Sequence, residues 1–159
     1  ADKNVELFTK HHVFTKEELA SRYEIKLENY VKTIGIEART LAEMITKDFL
    51  PAVSTYAAEV SKNAAAKKSF MAAADTASEE ALVEKLSTAY TALTAEVTEL
   101  KTLIDTSFAL EDTQKCAEAF HDQVLAKMED IRTIASAIEA LIPDSILSYP
   151  TYDQLLFSL

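Results

Sequence analysis

The histidines and their neighbours are the residues of this sequence with the clearest potential for chemistry. Glu118 and His121 have the Glu-x-x-His spacing with which helical bundles hold pairs of iron or manganese ions, since both side chains project from one helix face. Such a centre needs the motif twice and two further glutamates, but this sequence contains it once. We therefore expect Glu118, His121 and Asp122 to lie on a solvated helix face, with a metal-binding bundle oxidoreductase as the remote alternative. His11 and His12 are expected at a helix end, where imidazoles interact favourably with the helix dipole.

Nucleophilic and nucleotide chemistry have equally few candidates. Cys116 falls on an apolar helical stripe, so we expect a buried, unreactive thiol. The single glycine, Gly35, cannot build a phosphate-cradling loop. We therefore predict no catalytic, cofactor-binding or metal-binding residue in this chain.

Gly35 itself has two interpretations. A glycine inside a helix costs about 1 kcal/mol relative to alanine, so some compensation is expected. With Val31, Ala38 and Ala42 it forms a groove of small residues that would let another helix or loop approach closely. The alternative is a glycine tolerated on an exposed face, and the sequence does not choose between the two.

The charge pattern excludes one class of partner. The net charge is −10, and residues 81–159 hold 5 Lys and Arg against 13 Asp and Glu. A segment with this excess of negative charge repels nucleic acid. One cysteine and no membrane-length apolar run favour a cytoplasmic location.

The composition indicates an all-α fold. Apolar residues make up 48% of the chain, and it contains one glycine and three prolines. After a short helix in the first ten residues, Thr15 and Glu18 form a predicted capping box that opens a long helix. A kink is expected near Pro51, around Phe49 and Leu50. The apolar stripe of this helix consists of Leu19, Tyr23, Leu27, Tyr30, Ile34, Ala38, Leu41, Ile45, Phe49, Val53, Tyr56 and Val60.

Two further long helices follow. Residues 63–77 are interpreted as a helix end and a connection, which Phe70 and Met71 pin to the core. Ser78 or Thr76 caps the second helix, whose stripe is Leu82, Leu86, Ala89, Leu93, Val97, Leu100 and Ile104. The third begins at Leu110-Glu111-Asp112 and ends at Pro143, with its stripe at Cys116, Phe120, Val124, Met128, Ile131, Ala135, Ile138 and Ile142.

Burial of these stripes predicts an antiparallel helical bundle of three to four long helices, forming a single helical domain over 1–159. The polar faces carry ordinary i, i+4 ion pairs: Glu28 with Lys32, Glu43 with Lys47, and Arg22 with Glu18.

The last residues, SYPTYDQLLFSL, predict a short docked tail. Thr151 and Gln154 form a capping box for a final helix, and Tyr152, Leu156 and Phe157 supply an apolar edge for burial. Tyr149 and Tyr152 are expected to keep their hydroxyls near water or a partner. The groove that receives this tail belongs either to this bundle or to other domains.

Ordered segments at the two ends of the chain resemble one family. These segments are Asn4-Val5-Glu6-Leu7-Phe8, Val13-Phe14-Thr15, Glu18-Leu19, Ser21-Arg22-Tyr23-Glu24-Ile25, Leu27-Glu28-Asn29-Tyr30, Ile36-Glu37-Ala38, Leu50-Pro51-Ala52 and Pro150-Thr151-Tyr152. Together they resemble the C-terminal region of type III glutamine synthetase, the large bacterial form. Residues 63–142 match mainly by helical pattern.

The resemblance implies a fragment of a longer enzyme that joins ammonia to glutamate with ATP and Mg or Mn. Family knowledge places metal, nucleotide and glutamate contacts in the catalytic domains, so no catalytic residue carries over to this chain. The family forms stacked hexameric rings, which implies the parent's catalytic domains and neighbouring subunits as partners. The expected function is thus a non-catalytic structural or assembly domain; the alternative is an independent helical-bundle interaction or sensor module.

Overall fold

The chain is almost entirely helical in a computed structural model that describes residues 2–150 and 152–157, with only the backbone given for Tyr152, Asp153 and Phe157. No strand occurs among these residues, which confirms the all-α prediction. The α-helices are α1 (Asp2–Lys10), α2 (Lys16–Met44), α3 (Leu50–Phe70), α4 (Ala77–Phe108), α5 (Thr113–Ala119), α6 (Leu125–Glu139) and α7 (Tyr152–Phe157).

A π-turn, Ile45–Phe49, joins α2 to α3 into one continuous long helix. In a regular α-helix, the ring of Pro51 would clash with the carbonyl of Lys47. In the π-turn the Leu50 N–H donates to the carbonyl of Ile45, five residues earlier, so the helix widens just before the proline. The sequence predicted a kink around Phe49 and Leu50, and the structure has this π-turn at the same place.

The predicted capping box at the start of α2 is also confirmed. The Thr15 N–H donates to the Glu18 carboxylate at 2.8 Å, and the Glu18 N–H donates to the Thr15 hydroxyl at 3.1 Å. The predicted Arg22–Glu18 pair is wrong, because Arg22 lies over the Phe14 ring, 4.6 Å from its centroid. The Glu28–Lys32 and Glu43–Lys47 pairs form as expected.

Three helical rods pack side by side: the first is α2 with α3, the second is α4, and the third is α5 with α6. Lys67 and Lys68 at the end of α3 pair with Glu79 and Glu80 at the start of α4, and the short connection between them turns the chain back into an antiparallel hairpin. The third rod, α5 to α6, runs back along α4. The core between the three rods contains the predicted stripe positions Ala38, Ile45, Phe49, Val53, Leu86, Leu93, Val97, Leu100, Ile104, Phe120, Val124, Ile131 and Ile138.

Helix boundaries in the second half differ in detail from the prediction. Thr76 occupies the N-cap position of α4, but its hydroxyl binds the Glu80 carboxylate, and Asp75 accepts from the Ala77 N–H. Asp112 caps α5 by accepting from the N–H groups of the second and third helical residues. The third rod contains a π-turn, Phe120–Val124, that the sequence analysis did not predict, and it ends at Glu139, four residues before Pro143.

The connection between α3 and α4 corrects one prediction. Helix α3 continues to Phe70, so the connection is only Met71–Thr76. Phe70 and Met71 were expected to pin this segment to the core, but Phe70 is 95% exposed and Met71 is 57% exposed. They lie at the tip of the α3–α4 hairpin, where the core stripe has already ended at Val60.

Candidate interaction surfaces

The residues with metal-binding potential lie where the sequence predicted them, on a solvated helix face and at a helix end. Glu118, His121 and Asp122 are exposed, and His121 Nδ1 lies 2.7 Å from an Asp122 carboxylate oxygen. His11 and His12 follow the last residue of α1. In the part of the chain that the structure describes, no three His, Cys, Asp or Glu side chains are grouped to hold a metal ion.

Cys116 is buried on α5, as its stripe position predicts. Burial raises the pKa of its thiol, because a thiolate would lose solvation. This environment favours the protonated, poorly nucleophilic form at neutral pH.

The groove at Gly35 is occupied from within the chain. A Cβ atom on Gly35 would lie 2.7 Å from Cζ of Phe108 and 3.6 Å from Cε1 of Phe120. The two rings pack edge to face with centroids 4.8 Å apart, and Arg39 lies over the outer ring, that of Phe108. The close-approach interpretation of Gly35 is therefore confirmed, and the exposed-face interpretation is wrong.

Phe108 is the partner that the sequence analysis missed. It lies four residues after Ile104, the last position assigned to the α4 stripe, so extending that stripe by one step would have included it. Its separation of 73 positions from Gly35 is why no local pattern connected the two residues.

A partly buried ion-pair cluster between α4 and α6, here called the clamp, was also missed. The Lys127 ammonium donates to Glu96 and Glu99, at 2.8 Å each, and the side chain is only 16% exposed. Hydrogen bonds to these two carboxylates raise the pKa of Lys127. The clamp fixes the register of the third rod against the second.

The tail docks on this bundle through the residues that precede α7. Tyr149 packs against Phe49, with ring centroids 6.5 Å apart, and Ile146 and Leu147 pack against the core. A groove of about 260 Å³ remains at this place, with Leu41, Met44, Ile45, Ala135, Ser136, Glu139, Pro150 and Leu155 in its lining. The docking site that the sequence left open therefore includes the π-turn of the first rod.

The end of the tail differs from the prediction. Leu156 was expected to be buried, but it is 75% exposed. Gln154 donates to the Asp144 carboxylate at 2.9 Å. Thr151, the proposed cap, and the side chains of Tyr152 and Phe157 lie outside the described part of the chain, so their predicted roles remain predictions.

The phenol of Tyr149 has a strongly raised pKa. Burial, and after it the charges of Glu139 and Asp48, raises its pKa from 10.0 to about 12. The neutral phenol is therefore favoured in the folded chain. Its contribution to stability is complete below pH 10 and is lost as the pH rises towards 12, because the unfolded chain ionises first.

We predict that the free energy of unfolding falls by about 1–2 kcal/mol between pH 10 and 12 through this one residue. Tyr149→Phe removes the titration and keeps the ring, so the variant serves as the matched control. The measurement is urea unfolding of both proteins from pH 8 to 12. The difference in stability between them should change only above pH 10, and a constant difference over this range would contradict the assignment.

The first 30 residues form the least covered part of the described chain. Helix α1 has no buried residue, and none of residues 2–30 is buried. Apolar side chains are nevertheless frequent here: Leu7 and Val13 are each 54% exposed, and Phe8, Tyr23 and Ile25 are exposed as well. We call these five residues the N-terminal apolar surface.

None of the described helices combines the length and apolar character needed to cross a membrane.

Comparisons with known proteins agree on one family. Residues 1–68 match the family model described as glutamine synthetase C-terminal domain. A glutamine synthetase of Butyrivibrio fibrisolvens is 38% identical over 159 residues, which are 100% of this chain and 23% of that protein. Another from Bacteroides fragilis (strain YCH46) is 25% identical over 92% of this chain and 21% of that protein. A type-3 glutamine synthetase of Dictyostelium discoideum is 24% identical over 99% of this chain and 22% of that protein. The chain therefore spans less than a quarter of the length of these relatives.

Proposed function

The chain resembles the C-terminal region of type III glutamine synthetases, and from this relationship we propose that it is a non-catalytic helical domain of such an enzyme, with a structural and assembly role. The parent enzyme would ligate ammonia to glutamate with ATP. We place the ATP and the Mg or Mn in its other domains, and the parent itself in the cytoplasm. The partners of this domain are the catalytic domains of the parent and neighbouring subunits.

The observation that carries this proposal is the N-terminal apolar surface. It lies within the residues that match the family model, where the large apolar side chains of Leu7, Phe8 and Val13 remain exposed. Burying a large apolar side chain contributes about 1.5–3 kcal/mol, so a surface of this kind has a strong tendency to be covered. A larger parent protein supplies a body to cover it.

The test is a pair of double variants in the full-length parent. Leu7→Ser with Phe8→Ser removes apolar contacts, whereas Glu6→Ser with Lys10→Ser changes exposed polar residues of the same helix and is the control. We expect the first pair to lower the melting temperature and the ligase activity of the parent, and the second to leave both unchanged. Equal behaviour of the two pairs would favour an independent interaction or sensor module.

A further inference from the structure

The α3–α4 hairpin presents an apolar tip on a rigid support. Lys67 and Lys68 pair with Glu79 and Glu80 across the hairpin, and Thr76, which is 3% exposed, donates to Glu80. These contacts hold the end of α3 and the start of α4 together. We call residues 61–85 the α3–α4 arm, because between Val60 and Leu86 the single buried residue is Thr76, in the connection.

Two adjacent large apolar side chains occupy the tip of this arm. Phe70 is 95% exposed and Met71 is 57% exposed. Single exposed apolar residues are ordinary on protein surfaces. Here, however, an almost fully exposed phenylalanine is the last residue of a helix whose end is fixed by two ion pairs. Such a side chain is preorganised for insertion into a pocket, because little conformational freedom of the backbone is left to lose.

The tip also carries no net charge, although the chain as a whole is strongly acidic. Residues 61–80 contain three lysines and three acidic residues, whereas the whole chain has a net charge of −10. Two copies of an acidic protein repel each other, but a neutral arm with paired lysines approaches another copy without that penalty. The charge distribution therefore fits a second copy of the protein as the partner.

The length of the first rod argues against contact between the tip and the catalytic domains of the same chain. The continuous helix from Lys16 to Phe70 extends about 80 Å, at 1.5 Å per residue, between the N-terminal apolar surface and the tip. If 159 residues are 23% of the parent, as in the Butyrivibrio relative, about 530 residues lie outside this chain. A compact body of that size is roughly 60 Å across, so a body that covers the N-terminal surface ends before the tip.

We propose that the α3–α4 arm is an assembly arm, whose tip residues Phe70 and Met71 insert into an apolar pocket on a neighbouring copy of the parent protein. This inference rests on the proposed function, because it assumes that a larger body covers the N-terminal apolar surface. A contact of two side chains per copy is small. In a closed assembly it is repeated in every copy and acts together with the other interfaces, which makes it effective.

The experiment uses the full-length parent, with residues numbered as here. Phe70→Ser with Met71→Ser removes the apolar tip, and Ala72→Ser with Ala73→Ser, in the adjoining exposed connection, is the control. Mass photometry over a dilution series gives the concentration at which the assembly dissociates. We expect the first pair to raise that concentration roughly 10- to 30-fold and the second to leave it unchanged. Equal dissociation of both variants and the unaltered protein would overturn the proposal.

A crosslink identifies the partner directly. With the photoreactive amino acid benzoylphenylalanine in place of Phe70, illumination should give a species of twice the chain mass on a denaturing gel. A crosslink confined within one chain would overturn the proposal. The two proposals fail separately: loss of the effect at Leu7 and Phe8 contradicts the docking of the domain on its parent, whereas loss of the effect at Phe70 and Met71 contradicts the arm alone.

Discussion

Replacing Gly35 by leucine is expected to destabilise the chain by about 2–3 kcal/mol. A Cβ at this position already lies 2.7 Å from the Phe108 ring, and a leucine side chain would also reach the fully buried Phe120. Overpacking of this kind forces side chains from their preferred rotamers and shifts the backbone. Denaturant unfolding of the variant and of the unaltered chain measures the loss. The denaturant concentration at the midpoint should fall, while the dependence of the free energy on denaturant stays the same.

Two further variants separate overpacking from the helix propensity of residue 35. Gly35→Ala gains up to about 1 kcal/mol of propensity and displaces only the edge of a partly exposed ring, so its net effect should be small. Phe108→Ala should then tolerate the leucine, since it empties the space that leucine needs. A double-mutant cycle between the two positions should give a coupling energy above about 1 kcal/mol. Additive effects would mean that the Phe108 ring does not fill the groove.

Truncating Phe49 to alanine is expected to have the largest effect, a loss of about 3–5 kcal/mol. The side chain is 1% exposed, lies in the π-turn of the first rod, and packs against Tyr149 of the tail. Its removal leaves a cavity and also takes away the surface on which the tail docks. Thermal unfolding measures the loss of stability. In limited proteolysis the bond after Tyr149 should be cleaved more readily, because the tail is released.

Phe70→Ala is the matched control for this prediction. It makes the same chemical change at a side chain that is 95% exposed, so the stability should remain within about 0.5 kcal/mol. Similar losses in the two variants would contradict the described position of the arm. A stable Phe70 variant also shows that the assembly experiment tests contact between copies and not folding.

The positions of the helices were largely predictable from the sequence, because helix signals are local. Three features depend on residues within about four positions of one another: the capping box at Thr15 and Glu18, the stripes of α4 and α6, and the irregular turn before Pro51. Side chains at these spacings meet on a helix whatever surrounds it. The expected exposure of Glu118 and His121 followed from the same periodicity.

Errors arose where a local pattern had to predict a distant neighbour. Phe70 and Met71 look like core residues by type, but they lie almost three helical turns beyond Val60, the last buried residue of α3. Leu156 was assigned to the apolar edge of the tail, whereas Tyr149 makes the contact with the bundle. In each case the residue type indicated an apolar contact, but the sequence did not indicate where the packed region ends.

The sequence by itself determined the helical class, the approximate course of the three rods and the acidic surface, because these depend on composition and on spacing along one helix. Only the tertiary structure decided what fills the groove at Gly35, where the tail docks, and which apolar residues remain uncovered. These outcomes join residues such as Gly35 and Phe108, or Glu96 and Lys127, that are 73 and 31 positions apart. Contacts at such separations depend on how whole rods pack against each other, and no periodicity within a single rod contains that information.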